Sequence, residues 1–161
     1  MREELYRTIK ARLEALCMDA DGVYFDATAE NLIDTDTIEK ERAIKHIDLW
    51  NRNVEFIEQE IPWERPAVFV EFLPFRWNTI VTGVEYRAEP QVNLHVVTDW
   101  VEQGSDLEAF RLLDRIHEQL ADLSGETFMG FDIAASSTNH NHEEILENIE
   151  TYSCTAFRHL R

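Results

Sequence analysis

Basic residues are scarce in this chain, and lysine almost vanishes: only Lys10, Lys40 and Lys45 occur, with none after position 45. Against 15 Lys and Arg stand 32 Asp and Glu, for a formal charge of −17. Residues 1–66 hold 16 acids and 9 bases, and residues 67–161 hold 16 and 6, so the acidity is spread and is not a tail. A surface built to grip phosphates needs clustered Lys and Arg. Specific nucleic-acid binding is therefore not expected, and neither is attachment to an anionic membrane. Cysteine is equally sparse. Cys17 and Cys154 cannot form a disulfide framework, neither lies in a Cys-x-x-Cys, and two reduced, buried thiols are the expectation. The five glycines are scattered, so no phosphate-cradling loop appears. No apolar run approaches the ~18 residues a spanning helix needs. Residues 1–10 lack the apolar core of a secretory signal, which predicts a soluble protein made and kept inside the cell.

What is present suits a globular domain. The 161 residues are 44% hydrophobic, enough for one core, and a single domain over 1–161 is predicted. Leu5, Ile9, Leu13 and Leu16 fall at helical spacing and predict an amphipathic helix over 2–17, ended by the turn Asp19-Ala20-Asp21-Gly22. Residues 26–43 carry six acids and no Pro or Gly, reading as a surface segment with a short helix over 37–43. A strand is predicted at 45–51, then an irregular or helical piece to 61. Pro62 and Pro66 lead into Ala67–Phe72, an apolar, β-branched and aromatic run that reads as a buried strand stopped by Pro74. The stretch 75–90, with Trp77 and Gly83, reads as a long hairpin connection.

Val92, Leu94 and Val96 alternate with Gln91, Asn93 and His95, the signature of a half-buried strand. Ser105-Asp106-Leu107-Glu108 is a capping box, opening a helix with Leu107, Phe110, Leu113, Ile116 and Leu120 on one stripe and Gly125 beyond its end. Phe131 and Ile133 mark another strand, 139–144 a polar turn, and 147–158 a last strand with Tyr152, Cys154 and Ala156 on one face. The order predicts an α+β fold: a mainly antiparallel sheet of about four to five strands with helices packed on one face.

Few residues suggest chemistry. Asp19-Ala20-Asp21-Gly22 resembles the opening of haloacid-dehalogenase-type phosphatases, where the first Asp attacks phosphorus and the second is a general acid. That chemistry requires the end of a buried strand and a downstream Lys, and no Lys follows Lys45. The tetrapeptide also lacks the spacing of a calcium loop. His140 and His142 have metal-ligand types, but their polar context reads as an exposed turn. His46, His95 and His117 read as packed or surface histidines, and no Gly-x-Ser-x-Gly nucleophile setting exists. No catalytic residue, metal or cofactor is expected. Trp50, Trp63, Phe72, Phe75 and Trp77 cluster between 50 and 77. Core packing accounts for most of them, and Trp63, Phe75 and Trp77 are the candidate subunit-interface residues, since aromatics are enriched at interfaces.

Several segments resemble the tail-completion, or tail-terminator, proteins of long-tailed bacteriophages and prophages. They are the helix Leu5–Leu16 with Asp21-Gly22-Val23-Tyr24, Pro66-Ala67-Val68-Phe69-Val70-Glu71-Phe72, and Gln91-Val92-Asn93-Leu94-His95-Val96-Val97-Thr98-Asp99. The capped helix 105–123 and the closing strand Glu150–Phe157 fall in the matching places. Residues 26–61 form a polar insertion longer than that family's usual connection. The resemblance implies a non-enzymatic α+β head–tail joining subunit that assembles with itself into a ring, commonly a hexamer. It further implies contacts with tail-tube and connector proteins, and a location in the bacterial cytoplasm during assembly, then at the virion neck or tail end. Two other readings fit the composition: an acidic interaction module that mimics DNA, and a small metal-dependent hydrolase using Asp19 and Asp21 or His140 and His142.

Overall fold

The computed structural model describes residues 1–28, 41–51, 63–100, 105–140 and 144–160. It opens with helix α1 (Arg2–Glu14), then strands β1 (Leu16–Met18), β2 (Tyr24–Asp26), β3 (Glu41–Arg42), β4 (His46–Leu49), β5 (Ala67–Phe72), β6 (Trp77–Val81), β7 (Glu85–Ala88) and β8 (Gln91–Asp99). Helix α2 (Ser105–Leu120) and strands β9 (Phe128–Asn139) and β10 (Ile145–His159) complete it. The fold is α+β, as expected, but the larger sheet has seven strands and not four to five, and a three-stranded sheet β2-β1-β3 stands apart.

Proline explains much of the excess. Ile145 of β10 pairs with Asp99, and His159 pairs with Glu85, in one unbroken antiparallel register. Strands β7 and β8 are thus one long strand interrupted at Glu89 and Pro90, because proline offers no N–H to a ladder. On the other side β5 pairs with β8 and β6 with β7, so the partner strand breaks over 73–76, around Pro74. Residues 67–99 form one long hairpin, turning at Gly83 with φ of 73°. The connection expected over 75–90 is the paired outer half of that hairpin.

Helices cover one face of the sheet. Leu5, Ile9 and Leu13 of α1 and Leu112, Ile116 and Leu120 of α2 bury with Val68, Val70, Val92, Leu94, Val96, Tyr152, Cys154 and Ala156. The α2 stripe differs from the expected one: Ala109 and Leu112 are buried, whereas Leu107 and Phe110 stay 57% and 45% exposed. Two stripes overlap at 3.6-residue spacing, and the one with Ala109 lets the helix approach closely. Helix α1 ends sooner than predicted. After Ala15 the chain extends, and Cys17 pairs with Phe25 on one side and Arg42 on the other. Ladder bonds there replace the last helical turn. Of the helix expected over 37–43, residues 41 and 42 are strand, while 37–40 lie outside the described residues, as do 52–61. The left-handed residue after α2 is Asp122, with φ of 58°, and not Gly125.

Both cysteines are buried and free. Burial pushes the Cys154 thiol up to about 11, so at pH 8 roughly one molecule in a thousand carries the thiolate there. An aromatic disulfide reagent is expected to leave Cys154 unmodified in the native protein and to titrate both thiols in denaturant. Modification of Cys154 at the rate of a free thiol would contradict that burial.

Candidate functional site

The sheet face away from the helices carries the densest set of polar side chains. Along β8 the residues alternating with Val92, Leu94 and Val96 point to this face, and His95 is among them. Its Nδ1 lies 3.0 Å from Oε2 of Glu147 on β10, and its Nε2 lies 3.1 Å from Oε1 of Glu71 on β5. An ionised carboxylate only accepts, so satisfying both contacts takes a hydrogen on each ring nitrogen or a proton on one glutamate. The network extends outward. Asn93 Nδ2 donates to Glu71 over 2.9 Å, Thr151 Oγ1 donates to Asn93 over 2.7 Å, and Asn139 Nδ2 donates to Glu147 over 2.7 Å.

An aromatic lid closes this face. The Trp50 indole stacks on the His95 ring at 3.7 Å between centroids with planes 2° apart. Trp63, Phe69, Val97 and Ile145 form a second apolar cluster beside it. His95 and Glu147 are left 6% and 4% exposed, and Glu71 30%. With both nitrogens engaged and one ring face under Trp50, His95 has no free position from which to take a proton from a substrate. The arrangement ties β5, β8 and β10 together through one imidazole.

The sequence-predicted residues scatter. Asp19 caps the β1–β2 hairpin, its Oδ1 accepting from the N–H groups of Asp21 and Val23 at 2.9 Å each, and Gly22 turns the chain with φ of 77°. Contrary to expectation this turn follows a strand and not a helix. His140 is exposed at the end of β9, while His142 lies outside the described residues. Among the described residues no group of three His, Cys, Asp or Glu is placed to hold a metal ion. The capping box rests on Ser105, whose side chain is outside the described residues. His46 stacks at 6.3 Å on Trp63, and His117 meets the Tyr152 ring edge-on at 6.2 Å. Beneath α2, burial raises the Glu150 carboxyl pKa above its ordinary range against the hydrogen bond from Ser136.

Of the three candidate interface residues, Trp63 is buried against Phe69, with ring centroids 5.1 Å apart. Phe75 and Trp77 are half-buried at the hairpin end of the sheet, their rings edge-to-face at 5.6 Å. Sequence reasoning missed what surrounds them. Ile80, Val81, Val84, Phe157 and Leu160 are all at least 37% exposed at this same end. Leu160 N–H donates to the Val84 carbonyl over 2.7 Å, which fixes the C-terminal end of β10 against the hairpin, and Phe157 N–H donates to the Thr127 carbonyl over 2.8 Å on the β9 side. Strand β6 pairs with β7 on one side and with no described strand on the other. No family model and no curated protein matches this chain.

Proposed function

We propose that this protein is a structural subunit that assembles with itself into a ring, of the kind that terminates the tail or joins head to tail in a long-tailed bacteriophage. The observation that carries the reading is the edge β6, whose outer N–H and C=O groups meet no strand among the described residues and which is flanked by exposed Ile80, Val81 and Val84. Free edges with apolar side chains invite pairing with another chain, and native proteins that remain monomers blunt them with charge or proline. A head-to-tail contact whose rotation divides the circle closes into a ring. The acidity suits a lumen that passes DNA without holding it. Tail-tube and connector proteins are the neighbours such a ring would meet.

Charge opposes the assembly. Subunits of −17 repel over a Debye length of ~10 Å at 0.1 M salt and ~3 Å at 1 M. A monomer at low ionic strength giving way to a closed oligomer near ~0.15 M is the expected result. Native mass spectrometry and light scattering across salt and protein concentration measure it. A strict monomer under every condition, which also fails to bind tail tubes, defeats the proposal.

A further inference from the structure

We propose that the subunits join head to tail, with Trp100 of one copy seated in a basic, aromatic groove at the hairpin end of the next. The inference rests on the ring reading above and names the surfaces it uses. The groove is a cavity of about 550 Å³ bounded by Arg2, Phe75, Trp77, Phe157, Arg158 and His159. That volume falls in the range of sites that hold a sizeable ligand group. Arg2 lies over the Phe75 ring at 5.1 Å, and Trp77 closes edge-on against the same ring. Neither Arg2 nor Arg158 makes an ion pair among the described residues, while His159 lies 3.5 Å from Glu85. Both arginines are exposed beside the three aromatic rings, so the groove presents positive charge next to apolar surface.

The complement stands at the other end of the same strands. Trp100 follows β8 and is 47% exposed, an apolar side chain left standing in solvent. Its N–H donates to the Glu144 carbonyl over 2.9 Å, and Glu64, Asp99 and Glu144 around it are exposed. Among the described residues, only Asp99 of these has a cation beside it, Arg65. An indole flanked by carboxylates therefore faces away from the molecule at one end, and a ring-lined groove flanked by arginines at the other. The two cannot meet within one copy. Glu85 and Asp99 mark the two ends of the long strand, 15 residues at ~3.3 Å each, or roughly 50 Å. The occupant we assign is thus a second copy, in a heterologous contact where knob and groove lie on different surfaces. Buried Trp and Arg anchors carry most of the energy in such contacts.

Two variants test the pairing. Trp100→Ala removes the knob and keeps the groove, and the double variant Arg2→Glu/Arg158→Glu does the reverse. Each alone is expected to lose self-association by about 100-fold or more, with an unchanged circular-dichroism spectrum. Mixed together they should form a 1:1 heterodimer that grows no further, because one intact knob meets one intact groove and the remaining ends are dead. A wild-type ring with either variant assembling normally overturns this contact and leaves the ring reading standing. Folded variants that stay monomeric when mixed also overturn it. A wild-type protein that is monomeric under every condition overturns this contact, and if it also fails to bind tail tubes it defeats the ring reading as well.

Discussion

Replacing His95 with leucine is expected to destabilise the fold by about 3–5 kcal/mol, although leucine is more hydrophobic and of similar size. The loss comes from what is left behind. The Glu147 side chain is only 4% exposed, and without the imidazole it loses the ring nitrogen that lies 3.0 Å from its Oε2. A buried carboxylate stripped of its partner costs several kcal/mol, whereas an apolar replacement of the whole pair is often close to neutral. His95→Leu/Glu147→Leu is therefore expected to recover most of the loss, with Glu71 still held by Asn93 and 30% exposed. Trp50, stacked on the ring, would loosen in the single variant and shift its fluorescence. Urea denaturation of the wild type and the variants gives the comparison. A His95→Leu protein within ~1 kcal/mol of wild type would mean that the three-residue contact is worth little to the fold.

The strands were legible where alternation is clean. Val92, Leu94 and Val96 face the helices as read, and so do Tyr152, Cys154 and Ala156. What alternation could not reveal is that the opposite face is also covered. His95 reads as outward-facing by phase, yet outward here means beneath Trp50, which is adjacent only because β4 lies parallel to β5. A parallel neighbour is brought in by a crossover and leaves no local mark in sequence. Glu147 did leave one, a carboxylate inside Ile145-Leu146-Glu147-Asn148-Ile149, but an acid-rich chain hides such signals among solvated ones. The hairpin over 67–99 was half legible. Pro74 and Pro90 read as stops, whereas in the long ladder each is a break across which the strand resumes. The α2 stripe holds at Leu113, Ile116 and Leu120 and departs only in its first turns, where the small Ala109 faces the core in place of Leu107 and Phe110. The exposed edge at Ile80 and Val81 lies within 75–90, which reads as a connection because Pro74, Gly83 and Pro90 punctuate it.

The second large effect is expected at Gly125, where a single methyl group would disturb a junction of three elements. A Cβ there would lie 2.3 Å from Oε1 of Glu4 and 2.6 Å from Cε1 of Phe128. Phe128 is 1% exposed and locked in the core, so Glu4 is the group that can yield. Glu4 reaches from α1 to the loop before β9, accepting from the backbone N–H groups of Glu126 and Thr127 and from the Thr127 hydroxyl. Displacing it forfeits all three bonds, which at this partly exposed carboxylate are together worth about as much as one buried hydrogen bond to a charged acceptor, ~1.5–3 kcal/mol. Gly125→Ala and Glu4→Ala are each expected to cost about 2 kcal/mol, and the double variant far less than their sum, since both remove the same contacts. The Thr127 hydroxyl bond, opposed by burial, holds the Glu4 pKa below its ordinary 4.5. A lowered folded-state value stabilises the protein above the unfolded carboxylate's titration and is lost as pH falls through the folded one. The advantage of wild type over Glu4→Gln should therefore be full at pH 6 and shrink below about pH 4.5. Denaturation midpoints of both proteins across pH 3–7 decide it. A gap that stays constant to pH 3, or additive losses in the double variant, would place the cost of Gly125→Ala on Phe128 and not on the Glu4 junction.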